Sequence, residues 1–112
     1  MIQESKKDIA FLGRKDDTGK PRMELLPFDA LVEVSKVLTY GAIKYAPNNW
    51  KKVSNAKERY TGALLRHLAA WREGEVFDRE IADGWDIRHI AQVACNALFL
   101  VYLELREGGK SE

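Results

Sequence analysis

Cysteine is almost missing from this chain: Cys95 stands alone among 112 residues. One thiol excludes an internal disulfide framework and fits a reducing compartment. Long hydrophobic runs are missing too. None reaches the roughly 18–20 residues that a spanning helix needs, which argues against a membrane span. The first residues, Met1 to Lys7, hold no apolar signal core. That argues against export and for a cytoplasmic location. An excess of one charge sign is lacking, with a formal net charge of +1, so no stable nucleic-acid partner is expected. There is no internal repeat, no low-complexity tract and no period-two alternation between turns, the mark of paired strands.

What is present is a balanced globular composition, 46% hydrophobic and 31% charged. It holds enough apolar material to offset chain entropy. The length suits one domain, residues 1–112. Residues 1–19 read as an N-terminal arm with one apolar island, Ile9 to Leu12. Asp17-Thr18-Gly19-Lys20-Pro21 reads as a turn. Three helices are predicted. The first starts near Phe28 after Pro27, carries Leu31, Val32, Ser35, Leu38, Ala42 and Tyr45 at helical spacing, and stops at Pro47-Asn48. Gly41 within it costs about 1 kcal/mol against Ala, which suggests a close backbone approach or a break. The second runs from about Ala56 to Glu73, with Leu64, Leu68 and Trp71 as its ridge and Gly74 as its stop. The third runs from Asp83 or Asp86 to Arg106 and is apolar nearly all round, as suits burial in a bundle or a subunit interface. Residues 107–112 read as a frayed tail. The fold class is therefore all-α, a small three-helix bundle. So small a core makes completion by oligomerisation a reasonable expectation.

Several constellations carry chemistry. An acidic run joins the last two helices: Glu73, Glu75, Asp78, Glu80, Asp83 and Asp86. Glu80 and Asp83 form an E-x-x-D pair that shares one face if helical. Such a run is either a solvated linker or an oxygen cage for a hard divalent cation such as Mg²⁺. His89, Gln92, Asn96 and Phe99 make a stripe on the most apolar helix. It faces a pocket, or it is a satisfied core network. His67, four residues before Trp71, is structural or, with His89 and acidic neighbours, part of a transition-metal site. Lys20, Arg22, Lys44, Arg59 and Arg66 are solubilising surface charges or phosphate partners. Gly19-Lys20 is no phosphate-binding loop, because the first glycine and the strand are absent. Asn49-Trp50 reads a base or caps the core. Asp29 and Glu33 face solvent or add ligands. Cys95, mid-helix in an apolar run, is a small hydrophobe and not a nucleophile.

Lys15 to Pro27, Leu38 to Tyr45, Asn48-Asn49-Trp50, Arg66-His67-Leu68 through Trp71, Gly74-Glu75, Asp78, and His89 through Leu100 together resemble the phage-type dATP/dGTP diphosphohydrolase N-terminal-domain family. The resemblance spans about residues 15–105. It implies a relative of the MazG-like all-α pyrophosphohydrolases, which cleave a nucleoside triphosphate to monophosphate and pyrophosphate with Mg²⁺ or Mn²⁺ and work as dimers or tetramers. Their usual E-E-x-x-E run is missing here. Glu73, Glu75 and Asp78, or Asp29 and Glu33, would stand in for it. Ile81 to Asp86 reads as an insertion. On that resemblance Glu75, Asp78, Glu80 and Asp83 are the expected metal ligands, and Glu80, Asp83 and His89 the catalytic groups. Lys20, Arg22, Lys44, Asn49, Trp50, Arg66, His67 and Asn96 are the expected contacts to a purine deoxynucleoside triphosphate. The alternative is a non-catalytic protein that sequesters a cyclic or modified signalling nucleotide. A third possibility is a helical adaptor that binds no nucleotide.

Overall fold

A computed structural model describes residues 13–111, with side chains through Glu107. Most of the expected arm (residues 1–12, with its apolar island) and Glu112 lie outside the described residues. Three helices form: α1 (Phe28–Lys44), α2 (Ala56–Arg72) and α3 (His89–Ser111). Short 3₁₀ turns cover Met23–Leu25 and Asn49–Lys52. The all-α class holds. Among the described residues the sole extended pairing is an isolated antiparallel bridge between Phe77 and Arg88.

The local signals act as the residues dictate. The turn at residues 17–20 closes through the Lys20 amide on the Asp17 carbonyl at 2.9 Å, with Gly19 at φ +82°. Helix α1 begins directly after Pro27 and ends when Tyr45 leaves helical geometry. Asn48 and Asn55 take left-handed φ values of 66° and 53° ahead of the 3₁₀ turn and of α2. Asparagine tolerates that region better than other side chains with a Cβ. Gly74 at φ +100° closes α2, its amide bonded to the Trp71 carbonyl at 3.0 Å.

Two expected boundaries move. Helix α3 starts at His89 and not at Asp83 or Asp86, because the preceding loop spends its backbone groups on itself. The Asp78 amide donates to the Ile87 carbonyl and the His89 amide to the Val76 carbonyl, both at 2.9 Å. Gly84, at φ +94°, turns the chain between them. The pair Glu80 and Asp83 therefore lies on turns and shares no helical face. At the other end, α3 continues through Ser111, where a frayed tail is expected from Glu107. Gly41 is also explained differently. Nothing lies within 4 Å of where its Cβ would stand, so no backbone approaches it.

Helix α3 packs chiefly along α2 and secondarily on α1. Tyr60 of α2 meets Phe99, and His67 meets His89, so α2 and α3 run antiparallel. The 73–88 loop docks on α1. The Tyr40 ring meets Trp85 edge-on at 5.9 Å, and the Tyr40 hydroxyl accepts from the Ala82 amide at 3.1 Å. Arg88 reaches Glu33 at 3.6 Å, while Lys36 holds Glu33 at 3.0 Å. The core is sparse. Among the described residues the buried apolar side chains are Val34, Ile87, Ala91 and Cys95. Phe28, Val32 and Ile43 on α1, and Leu98, Val101 and Leu105 on α3, stay exposed. The nearly all-round apolar character of α3 is thus only half used within one chain.

Candidate functional site

One face of α3 organises two neighbouring features. At its N-terminal end the buried His89 ring is held from both sides. Its Nε2 lies 3.0 Å from Glu75 Oε2, and its Nδ1 lies 2.9 Å from Nδ1 of His67 on α2. A carboxylate only accepts, so the His89 proton sits on Nε2 and points at Glu75. In the neutral pair, Nδ1 of His89 is then the acceptor and His67 Nδ1–H the donor. One turn further along α3, Gln92 Nε2 donates to Asp78 Oδ2 at 2.8 Å. The other Asp78 oxygen accepts from the Glu80 amide at 2.9 Å. A ring nitrogen from each His and an Asp78 oxygen lie within 4.8 Å of one another. Among the described residues no other set of three or more His, Cys, Asp or Glu side chains converges in this way.

The electrostatics follow from these partners. The His89 hydrogen bond, helped by the Arg79 amide and guanidinium, holds the Glu75 carboxyl down at about 2. Burial pushes the His67 imidazole below its usual value. Asp78 and Glu80 oppose that shift, while His89 and Arg66 add to it. Burial thus favours the neutral His67 ring, which, with Nδ1–H donating to His89, has the Nε2 lone pair left to accept.

Farther along the same α3 face, at Phe99, lies a cavity of about 740 Å³ between α1, the 49–52 turn, α2 and α3. Its walls are mainly apolar and aromatic: Val37, Leu38, Tyr45, Trp50, Tyr60 and Phe99. Asn48 and Asn49 bring amides, and Arg59 is its one charged lining side chain. Trp50 stacks on Phe99, with ring centres 4.4 Å apart and planes at 15°, and meets Tyr102 edge-on at 4.7 Å. The Tyr60 hydroxyl donates to the Trp50 carbonyl at 2.6 Å, pinning the turn to α2. Trp50 is therefore both core cap and cavity wall. His67 lies seven residues beyond Tyr60, about 10 Å at 1.5 Å per residue. His89 lies ten residues before Phe99, about 15 Å. Asn96, buried midway, donates back to the Gln92 carbonyl at 2.8 Å.

The expected site residues divide accordingly. His67, His89 and Glu75 form one hydrogen-bonded chain, with an Asp78 oxygen within 4.8 Å of a nitrogen of each ring. Asn49 and Trp50 line the cavity, and Asn96 lies between the two. Lys44 does not line the cavity; its ammonium lies 5.3 Å from the ring of Tyr45, which does. Arg66 is exposed on α2, next in sequence to His67. Lys20 and Arg22 stand on the exposed segment before α1, where Arg22 pairs with Glu24 at 2.9 Å. Glu80 and Asp83 are exposed on the loop. Asp29 bonds the Ala30 amide at 2.7 Å, and Glu33 is taken by Lys36 and Arg88. Tyr60 is the contributor that the sequence reading omits. Its only signal is a spacing of two helical turns from His67.

A family model described as "dATP/dGTP diphosphohydrolase, N-terminal" matches residues 12–112. No curated protein and no solved structure is matched.

Proposed function

We propose that this chain, which belongs to the dATP/dGTP diphosphohydrolase N-terminal family, hydrolyses dATP or dGTP to the monophosphate and pyrophosphate. The observation that supports this reading is the continuous α3 face. It links an aromatic cavity at Phe99 to a cluster of proton-handling and oxygen-donating groups at His89. A purine would take the first end. The Trp50, Tyr60 and Phe99 rings supply apolar walls, and the Asn49 amide offers both a donor and an acceptor to a base edge. The phosphates would extend along the α2–α3 groove towards His67. Arg59 in the cavity wall, with Arg66 on α2 and Lys44 on α1, would offset that charge, which counts most where negative charge grows in the transition state.

A divalent ion supplies charge neutralisation and an activated water in reactions of this type. The expected all-oxygen cage of Glu75, Asp78, Glu80 and Asp83 does not fit Mg²⁺ as these side chains stand. Glu75 is engaged by His89 and Arg79, and Glu80 and Asp83 lie exposed on turns.

The protein functions as a homo-oligomer in this reading, since the apolar faces of α1 and α3 need a second copy to cover them. Light scattering on the eluting protein reads that directly. The deciding experiment incubates the protein with each deoxynucleoside triphosphate and Mg²⁺ or Mn²⁺, then separates the products by chromatography. Monophosphate plus pyrophosphate from dATP or dGTP is the expected result. Intact nucleotide, recovered after tight binding, would instead establish non-catalytic sequestration. The missing E-E-x-x-E run and the engaged state of Glu75 favour that second reading.

A further inference from the structure

We infer that His67, Asp78 and His89 form a binding site for a first-row transition-metal dication of the Mn²⁺-to-Zn²⁺ class, selective against Mg²⁺. The site stands without the hydrolase reading, since it rests on donor chemistry alone. Two imidazole nitrogens and one carboxylate oxygen suit borderline metals. Mg²⁺ prefers oxygen and keeps its waters.

The geometry is nearly in place. At a metal–nitrogen distance of about 2.05 Å and a tetrahedral angle, two ligating nitrogens stand roughly 3.3 Å apart. The two Nδ1 atoms here are 2.9 Å apart, so the ion needs the rings to part by about 0.4 Å and to turn until both lone pairs aim at one point off the N···N line. It would take the place of the proton now shared between the rings. His67 then carries its proton on Nε2, and both Nδ1 lone pairs face the ion. The exchange of tautomer keeps both rings neutral and releases no net proton.

Asp78 sits on the loop and not on a helix, so its oxygen can close the remaining distance without displacing α2 or α3. The supporting shell is also present. Glu75 accepts from Nε2 of His89 and so fixes ring orientation and tautomer. Gln92 holds the Asp78 carboxylate. Carboxylate-backed histidine ligands are the recurrent device that orients metal-binding imidazoles. The positions of the ligands, on α2, the 73–88 loop and the first residue of α3, explain why the ion would also tie the sparse core together.

The test uses the full chain, stripped with a chelator and kept free of nucleotide. Co²⁺ titration, followed by visible ligand-field absorption, should saturate at one equivalent per chain. Zn²⁺ should abolish the signal, and a thousandfold excess of Mg²⁺ should leave it. His67→Gln and Asp78→Asn should each weaken binding at least tenfold while far-UV circular dichroism of the stripped protein is unchanged. Glu75→Gln, which spares all three ligands, should weaken it about 10- to 100-fold. It serves as the second probe if a ligand variant fails to fold. Absence of saturable Co²⁺ binding would overturn the inference. So would binding that all folded variants retain at parental affinity, or displacement by Mg²⁺ as readily as by Zn²⁺.

Discussion

Replacing Trp50 by alanine tests whether the 49–52 turn is a structural wall of the cavity or an independent flap. The substitution deletes two ring contacts, the stack on Phe99 and the edge contact with Tyr102. Aromatic pairs contribute about 0.5–1.5 kcal/mol each beyond area burial, so together about 1–3 kcal/mol is lost. Truncating a fully buried Trp costs about 3–5 kcal/mol. Trp50 is only half-buried, which places the total near 2–4 kcal/mol, a large part of the 5–15 kcal/mol typical of a domain. The Tyr60 hydrogen bond survives, because its acceptor is the Trp50 backbone carbonyl. Trp50→Phe keeps a stacking surface and should recover more than half of the loss. Urea unfolding followed by circular dichroism, at one fixed protein concentration, measures both variants. In a thermal scan each kcal/mol corresponds to roughly 4–8 °C for a domain of about this size. A loss below about 0.5 kcal/mol for Trp50→Ala, the range of ordinary surface changes, would refute the assignment of Trp50 to the packed wall.

Two further outcomes follow from single residues. Gly41→Ala should stabilise the free protein by about 0.5–1 kcal/mol in the same unfolding assay, since the site is helical and its Cβ meets nothing. Because Gly41 lines the cavity, that methyl group should also weaken dATP or dGTP binding, read by calorimetry. Burial pushes the Cys95 thiol from 9.0 up to about 12. At pH 9 about half or more of unfolded thiols are ionised, whereas the buried native thiol stays protonated. A thiol-specific chromogenic reagent should therefore react with Cys95 only after denaturant is added.

The helices were legible because their signals are local. Pro27, the apolar spacing after Phe28, and Gly74 after Trp71 each act within a few residues, and α1 and α2 end within a residue or two of the expected places. The start of α3 was not legible. It depends on whether the Asp78 and His89 amides find carbonyls across a loop, which no helical period encodes. The polar stripe on α3 was visible as a pattern. Its partners were not, since Glu75 and Asp78 come from the 73–88 loop and His67 from α2.

Sequence alone thus determined the all-α class, the stops of α1 and α2 and the inventory of polar groups on α3, because backbone propensity and side-chain period are properties of neighbours. Tertiary structure decided which of those groups share a proton, which carboxylates stay in solvent and what encloses the aromatic cavity. Antiparallel packing of α2 on α3 sets His67 against His89 across 22 positions of chain, and separation along the chain carries no record of that contact.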